Sequence, residues 1–232
     1  MHPTTFDPRA FDSAPAHVGE SEFLWKTYRW MSIGLLLTGL VAYSVASSPS
    51  LVEALLARPG AFYGAVIVEI VLVVLFAARA HRMSFGAAAA VFVAYAALNG
   101  FTLATIFLIY TAASIGSVFF VCAAAFGSLS FYGALTKRDL TALGQFLFIG
   151  LVGLVLASVV NLFFENSAIY WLTTYAGVLI FAGLTAYDNQ KLRQLYAERG
   201  DTGNLALQGA LTLYLDFVNL FLMLLRSFGR RK

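Results

Sequence analysis

The sequence predicts an all-α membrane protein, a single bundle of seven transmembrane helices. Three observations carry that expectation. Hydrophobic residues make up 60% of the 232 residues and charged residues only 12%, where an ordinary soluble domain carries about 25% charge. So little polar surface cannot cover a water-soluble fold of this size, and lipid is the implied solvent. Uncharged apolar runs recur at spanning length, since a hydrocarbon core of about 30 Å needs about 20 residues of helix. The runs are also uniformly apolar, without the alternation of a membrane barrel, and an open strand edge cannot be satisfied in lipid. The length suits one bundle and no second folded domain.

Residues 1–22 contain Pro3, Pro8 and Pro15 with five acidic or basic residues and read as a mobile tail. No signal peptide is expected, because the first apolar run continues at spanning length. Span one is uncharged from Trp30 to Val52, with Ser47-Ser48-Pro49 as its stop. Span two runs from about Gly60 to Ala78, contains Glu69, and is closed by Arg79, His81 and Arg82. From Met83 to Thr136 there is no acidic residue, Lys, Arg or His, which is too long for one span and right for two. Their turn is expected near Tyr110–Ser114, and Lys137-Arg138-Asp139 ends span four. Span five covers about Thr141–Phe164, and Glu165-Asn166-Ser167 turns the chain into span six, which carries Asp188 close to its end. After Gly200-Asp201-Thr202-Gly203-Asn204, span seven runs from about Leu205 to Arg226 and contains Asp216. The transmembrane domain is thus 23–229, followed by a basic tail at 230–232.

Orientation follows the basic residues. Ten of them (Arg9, Lys26, Arg29, Arg79, Arg82, Lys137, Arg138, Lys191, Arg193 and Arg199) fall on one side of the alternating spans, against Arg58 alone on the other. The N-terminus is therefore expected in the cytoplasm. Seven spans then place Arg226, Arg230, Arg231 and Lys232 outside, against the rule, unless one apolar segment is re-entrant. The net charge of +3 reports orientation rather than nucleic-acid binding.

Cys122, the single cysteine, excludes an internal disulfide and sits in an apolar run as a packing thiol. His2, His17 and His81 lie outside the runs and form no ligand cluster. There is no Gly-rich phosphate loop and no Ser/His/Asp set. What remains is acidic: Glu69, Asp188 and Asp216 are the only charged residues within the seven interiors. An intramembrane carboxylate costs about 2.5–3.5 kcal/mol even on the insertion scale. Glu69 stands alone and suits a packing role. The aspartates lie on consecutive antiparallel helices, and residue 202 is their midpoint, at the centre of the turn. Equal arms place both carboxyls at one depth, about 15 Å from the turn. If they meet, both cannot ionise in low dielectric, and the pair titrates as a unit around a shared proton. Protonated, such a pair holds two helices together; deprotonated, it repels or recruits a cation, calcium being the natural one for carboxylate oxygens. Asn189, Gln190 and Asn219 could add amide oxygens, although interhelical hydrogen bonding is their commoner use.

Gly183-Leu184-Thr185-Ala186-Tyr187-Asp188-Asn189-Gln190 and Leu213-Tyr214-Leu215-Asp216-Phe217-Val218-Asn219-Leu220-Phe221-Leu222 closely resemble the last two helices of the bacterial Bax inhibitor-1 family. Ala97-Leu98-Asn99-Gly100 and Leu135-Thr136-Lys137-Arg138-Asp139-Leu140 are similar to that family too, and the resemblance covers roughly residues 23–229. It implies a bacterial inner-membrane protein with the last helix near the bundle centre. It further implies a pH-dependent calcium leak gated by Asp188 and Asp216, which would also meet the calcium ion. Arg79 or Arg82, at the end of span two, is then a gate partner, with Glu69 as a further one. Tyr187, Asn189, Gln190 and Asn219 are polar residues for the ion path. Asn189 stands where relatives often have Thr.

Two other functions stay open. An intramembrane aspartyl protease also uses two aspartates, one in a Tyr-Asp pair, which Tyr187-Asp188 matches; its Gly-x-Gly-Asp half is absent from Leu213-Tyr214-Leu215-Asp216. A membrane-embedded regulator of proteases or stress responses would act through protein partners. The expected ligands are the bilayer and calcium, with no organic cofactor, no enzymatic step and no nucleic acid.

Overall fold

The computed structural model describes residues 14–57, 59–202 and 204–232. Among the described residues eight α-helices follow one another: α1 (Ala14–Ala46), the short α2 (Pro49–Ala57), α3 (Pro59–Arg79), α4 (Phe85–Ile109), α5 (Ala112–Leu135), α6 (Thr141–Phe164), α7 (Ser167–Arg199) and α8 (Leu205–Phe228). Among the described residues seven helices are long and apolar enough to cross a membrane, α2 being too short. The seven-span reading holds.

Three boundaries differ from expectation. Residues 14–22, assigned above to the tail, continue α1 as helix, while 1–13 lie outside the described residues. The reason is lateral support at that end: Glu20 pairs with Arg193, Lys26 with Asp201 at 3.0 Å, and Phe23 stacks on Tyr196 at 4.9 Å. The link between the first two spans holds α2, which sequence reading left as loop; Arg58 in that link lies outside the described residues. Span six does not stop near Asp188, because α7 runs on to Arg199.

The turns are set by local chemistry. Ser84, Thr111 and Asn166 side chains accept amide hydrogens of Ala87, Ser114 and Ala168, capping α4, α5 and α7. Glu165 (φ 46°) ends α6 in the left-handed region, and Gly200 ends α7 with a positive φ of 67° and an extended ψ of −173°, a conformation open to glycine. Before α6, the Asp139 carboxylate faces the Thr141 hydroxyl and accepts from the Thr141 amide at 2.9 Å, and the two together hold that carboxyl below its usual range.

Apolar burial does not drive helices together in lipid, so close backbone approach matters more. At Gly133 a Cβ would stand 2.1 Å from the carbonyl oxygen of Ala186, so α5 and α7 are in backbone contact there. Gly100 likewise brings α4 against Thr38 of α1. The last helix sits in the middle: 67% of the α8 span is buried inside the protein, against 6% for α3 and 11% for α6. It packs on α7, α1, α5 and α4, while α3 leans mainly on α4 and α6 on α7. Where α3 and α6 stand back from α8, clefts remain.

Cys122 is buried against α8, with its thiol facing the Phe217 carbonyl at 3.8 Å.

Candidate functional site

Asp188 lies eleven residues before the end of α7 and Asp216 eleven residues after the start of α8. The two side chains line one cleft, and their carboxyls are close enough to share a hydrogen bond. Asp216 is buried, and its Oδ2 has no hydrogen-bond partner among the described residues. A buried, unpartnered carboxyl oxygen beside a second carboxyl is the arrangement that one shared proton satisfies.

Two clefts meet at Asp188. The larger, about 750 Å³, opens between α6, α7 and α8 and is lined by Tyr187, Asp188, Asp216 and Asn219. The smaller, about 230 Å³, lies between α3, α7 and α8 and reaches Asp188 beside Phe76 and Ala77. Asp188, Lys191, Thr212 and Leu215 border both. Lys191 is the cation of the site: it acts electrostatically on Asp188, and its Nζ lies over the Tyr187 ring, 5.6 Å from the centroid. The sequence reading passed it over, although a lysine three residues after an aspartate on one helix shares its face.

The other candidate residues divide. Tyr187 and Asn219 line the larger cleft, with the Asn219 amide donating to Leu215 within its own helix at 2.8 Å. Asn189 and Gln190 are turned to other work. The buried Asn189 amide accepts from the Tyr28 hydroxyl and donates to Ser130 at 3.1 Å and to the Thr185 carbonyl at 2.7 Å, tying α7 to α1 and α5. Gln190 accepts from the Leu140 amide and donates to the Arg138 carbonyl, both at 2.8 Å, fastening the α5–α6 link. With their amide groups so engaged, neither lines the larger cleft.

Arg79 and Arg82 are not brought to the aspartates. Both are exposed at the end of α3, and among the described residues no ion pair joins either to a carboxylate. Arg82 instead donates to the neighbouring His81. Glu69 is also apart from the pair. It accepts from Thr102 at 2.8 Å and Asn99 at 3.2 Å; Asn99 accepts from Tyr214 at 3.0 Å, and the Tyr214 hydroxyl is 2.7 Å from that of Thr38. Tyr214 precedes Asp216 by two residues, about 200° around the helix. Thus α8 carries its carboxyl on one face and this hydrogen-bonded chain on another. The chain joins α3, α4, α8 and α1, a link that spacing in the sequence did not reveal.

Among the described residues no group of three His, Cys, Asp or Glu side chains could hold a metal. Two carboxyls with Asn219 nearby would leave a calcium ion much of its shell to fill with water.

The chain matches the profile of the family described as "Inhibitor of apoptosis-promoting Bax1" over residues 20–232. It is 45% identical over 230 residues to the inner membrane protein YbhL of Escherichia coli, covering 97% of this chain and 98% of that one. An uncharacterised protein of Rickettsia prowazekii is 38% identical over 234 residues, covering 99% and 96%. An uncharacterised membrane protein of Streptococcus pyogenes is 40% identical over 217 residues, covering 92% and 94%. With a seven-span bundle centred on its last helix and similarity along nearly its whole length, the chain belongs to the Bax inhibitor-1 family.

Proposed function

We propose that the protein is a pH-sensitive, calcium-permeable leak pathway of a bacterial inner membrane, gated by Asp188 and Asp216, with its N-terminus in the cytoplasm. The observation that carries the reading is the unpartnered Oδ2 of Asp216 beside the Asp188 carboxyl, at the meeting point of two clefts. With one proton between them the carboxyls join α7 to α8 and close the passage. Without it, two anions repel across a low-dielectric contact, and a divalent cation relieves that repulsion. Calcium is the cargo: its oxygens come from the two carboxylates, and water supplies the rest. Lys191 stands at the border of both clefts, where it favours the ionised pair and competes with an entering cation.

The location rests on the name of the E. coli relative and on the seven spans, the orientation on the excess of Lys and Arg at the end of the bundle that holds Lys26 and Arg193. A conduit fits better than a protease. Cleavage needs a substrate backbone beside both carboxyls, and where a protease of this kind has its two glycines this chain has Leu213, fully buried, and Leu215. The direct test is calcium flux into liposomes that contain only this protein, followed across pH with wild type and with each aspartate replaced by Asn.

A further inference from the structure

The four basic residues at the C-terminus break the charge rule that orders the rest of the chain, and the structure gives them a definite place. They are not a frayed tail. The Thr111 amide donates to the Arg230 carbonyl at 3.1 Å, the Lys232 amide to the Ile109 carbonyl at 2.9 Å, and the Arg230 amide to the Ser114 hydroxyl at 2.9 Å. The last residues are thereby fixed against the α4–α5 turn, at the end of the bundle that also holds the α6–α7 turn.

Between that segment, the last turn of α8 and the α6–α7 turn lies a cavity of about 600 Å³. The Arg226 guanidinium lies 3.6 Å over the Tyr170 ring, and Arg231 donates to the Tyr170 hydroxyl at 2.9 Å. Both guanidinia line the cavity, yet among the described residues no carboxylate forms an ion pair with either. Ser227 also lines it, and its hydroxyl is buried without a hydrogen-bond partner. Two forked cations held on one tyrosine, beside a hydroxyl lacking an acceptor, describe a receptor for an oxyanion.

We infer that this cavity binds the phosphate diester of a membrane phospholipid, held by Arg226, Arg231 and Ser227 at the end of the bundle opposite the α7–α8 loop. A lipid is favoured over a free phosphate by the cavity wall. Leu162 lines it and is 74% exposed, and Val159 and Val155, three and seven residues earlier on the same face of α6, are exposed too, a surface on which acyl chains can lie. Trp171, stacked on Tyr175 at 5.7 Å, stands at the level where aromatic residues meet the bilayer interface. Glu165 places a carboxylate on the lining without an ion-pair partner among the described residues. It forms an ion pair with the ammonium of an ethanolamine headgroup, where a glycerol headgroup offers only neutral hydroxyls. The occupant is therefore a phosphatidylethanolamine.

Native mass spectrometry of the full, delipidated protein in detergent tests this, with phosphatidylethanolamine, phosphatidylglycerol and inorganic phosphate as separate titrants. Wild type is expected to take up one phosphatidylethanolamine saturably and more tightly than phosphatidylglycerol, with inorganic phosphate failing to displace it. Loss of a charge-assisted contact in Arg231→Gln should weaken binding by about tenfold, and Glu165→Gln should abolish the preference between the two lipids. Arg231 sits on an exposed segment, so that variant keeps the fold even if Arg226→Gln, which loses the tyrosine contact, does not. Equal binding by wild type and Arg231→Gln, uptake of many lipids without saturation, or full displacement by inorganic phosphate would each overturn the assignment.

Discussion

A methyl group placed at Gly133 should break the gate without touching a titratable residue. The added Cβ of Gly133→Ala would stand 2.1 Å from the Ala186 carbonyl oxygen and 2.8 and 2.9 Å from the carbonyl carbon and Cα of that residue. These are backbone atoms of α7, and they cannot rotate aside. Real Cβ contacts begin near 3.0 Å, so α5 and α7 must separate by about 1 Å. Ala186 precedes Asp188 by two residues, so the displacement is delivered to the carboxyl. A carboxyl–carboxylate hydrogen bond spans about 2.5–2.7 Å and is lost once its oxygens stand near 3.6 Å. Overpacking of this kind typically costs about 1–3 kcal/mol. Thermal unfolding in detergent and calcium flux across pH in liposomes read the two consequences. Gly133→Ala should unfold at a lower temperature and leak with a flattened pH response. Gly127→Ala, on the same helix with nothing within 4 Å of the new Cβ, should do neither. A Gly133→Ala protein with wild-type unfolding and a wild-type pH profile would refute the idea that helix contact sets the pair.

Other perturbations separate the gate from its supports. Lys191→Gln removes the cation that favours the ionised pair, so the pH midpoint of flux should move upward; an unchanged midpoint would remove Lys191 from the site. Gln190→Ala frees the Leu140 amide and the Arg138 carbonyl; it should cost about 1–3 kcal/mol in unfolding experiments and leave the flux midpoint in place. Glu69→Gln keeps an oxygen for Thr102 and lies off the pair, so its pH midpoint should match wild type. If Glu69→Gln shifts the midpoint while the aspartate variants do not, the sensor is Glu69. A reporter active only in the cytoplasm, fused after Lys232, should be silent, because an odd number of spans separates that residue from Lys26.

The spans and the level aspartates could be read from the chain because both depend on spacing alone. A helix rises evenly, so equal arms from one turn give equal depth whatever the packing. The Tyr110–Ser114 turn was legible in the same way, from small polar residues inside a long uncharged stretch. Rotation about each helix axis was not legible. Asn189 follows Asp188 directly, yet the two face different neighbours, one Tyr28 and Ser130, the other the cleft. In a span apolar on every side, no stripe tells which face looks inward. The family resemblance pointed to Arg79 or Arg82 as a partner of the aspartates, but an exposed arginine at a helix end has water to solvate it and needs no carboxylate. The link from Glu69 through Asn99 and Tyr214 to Thr38 joins four helices, and residues so far apart in sequence meet only after packing.

The proposed gate depends on one proton shared by Asp188 and Asp216, and calcium flux against pH in protein-only liposomes measures it most directly. Wild type should leak more as pH rises through a defined midpoint. Asp188→Asn and Asp216→Asn each keep the shape of the side chain but cannot create the repelling pair, so both should show a flat response. The double variant should match the singles, since residues that act as one unit are not additive. Retention of the wild-type midpoint in both single variants would contradict the shared proton and the gate built on it.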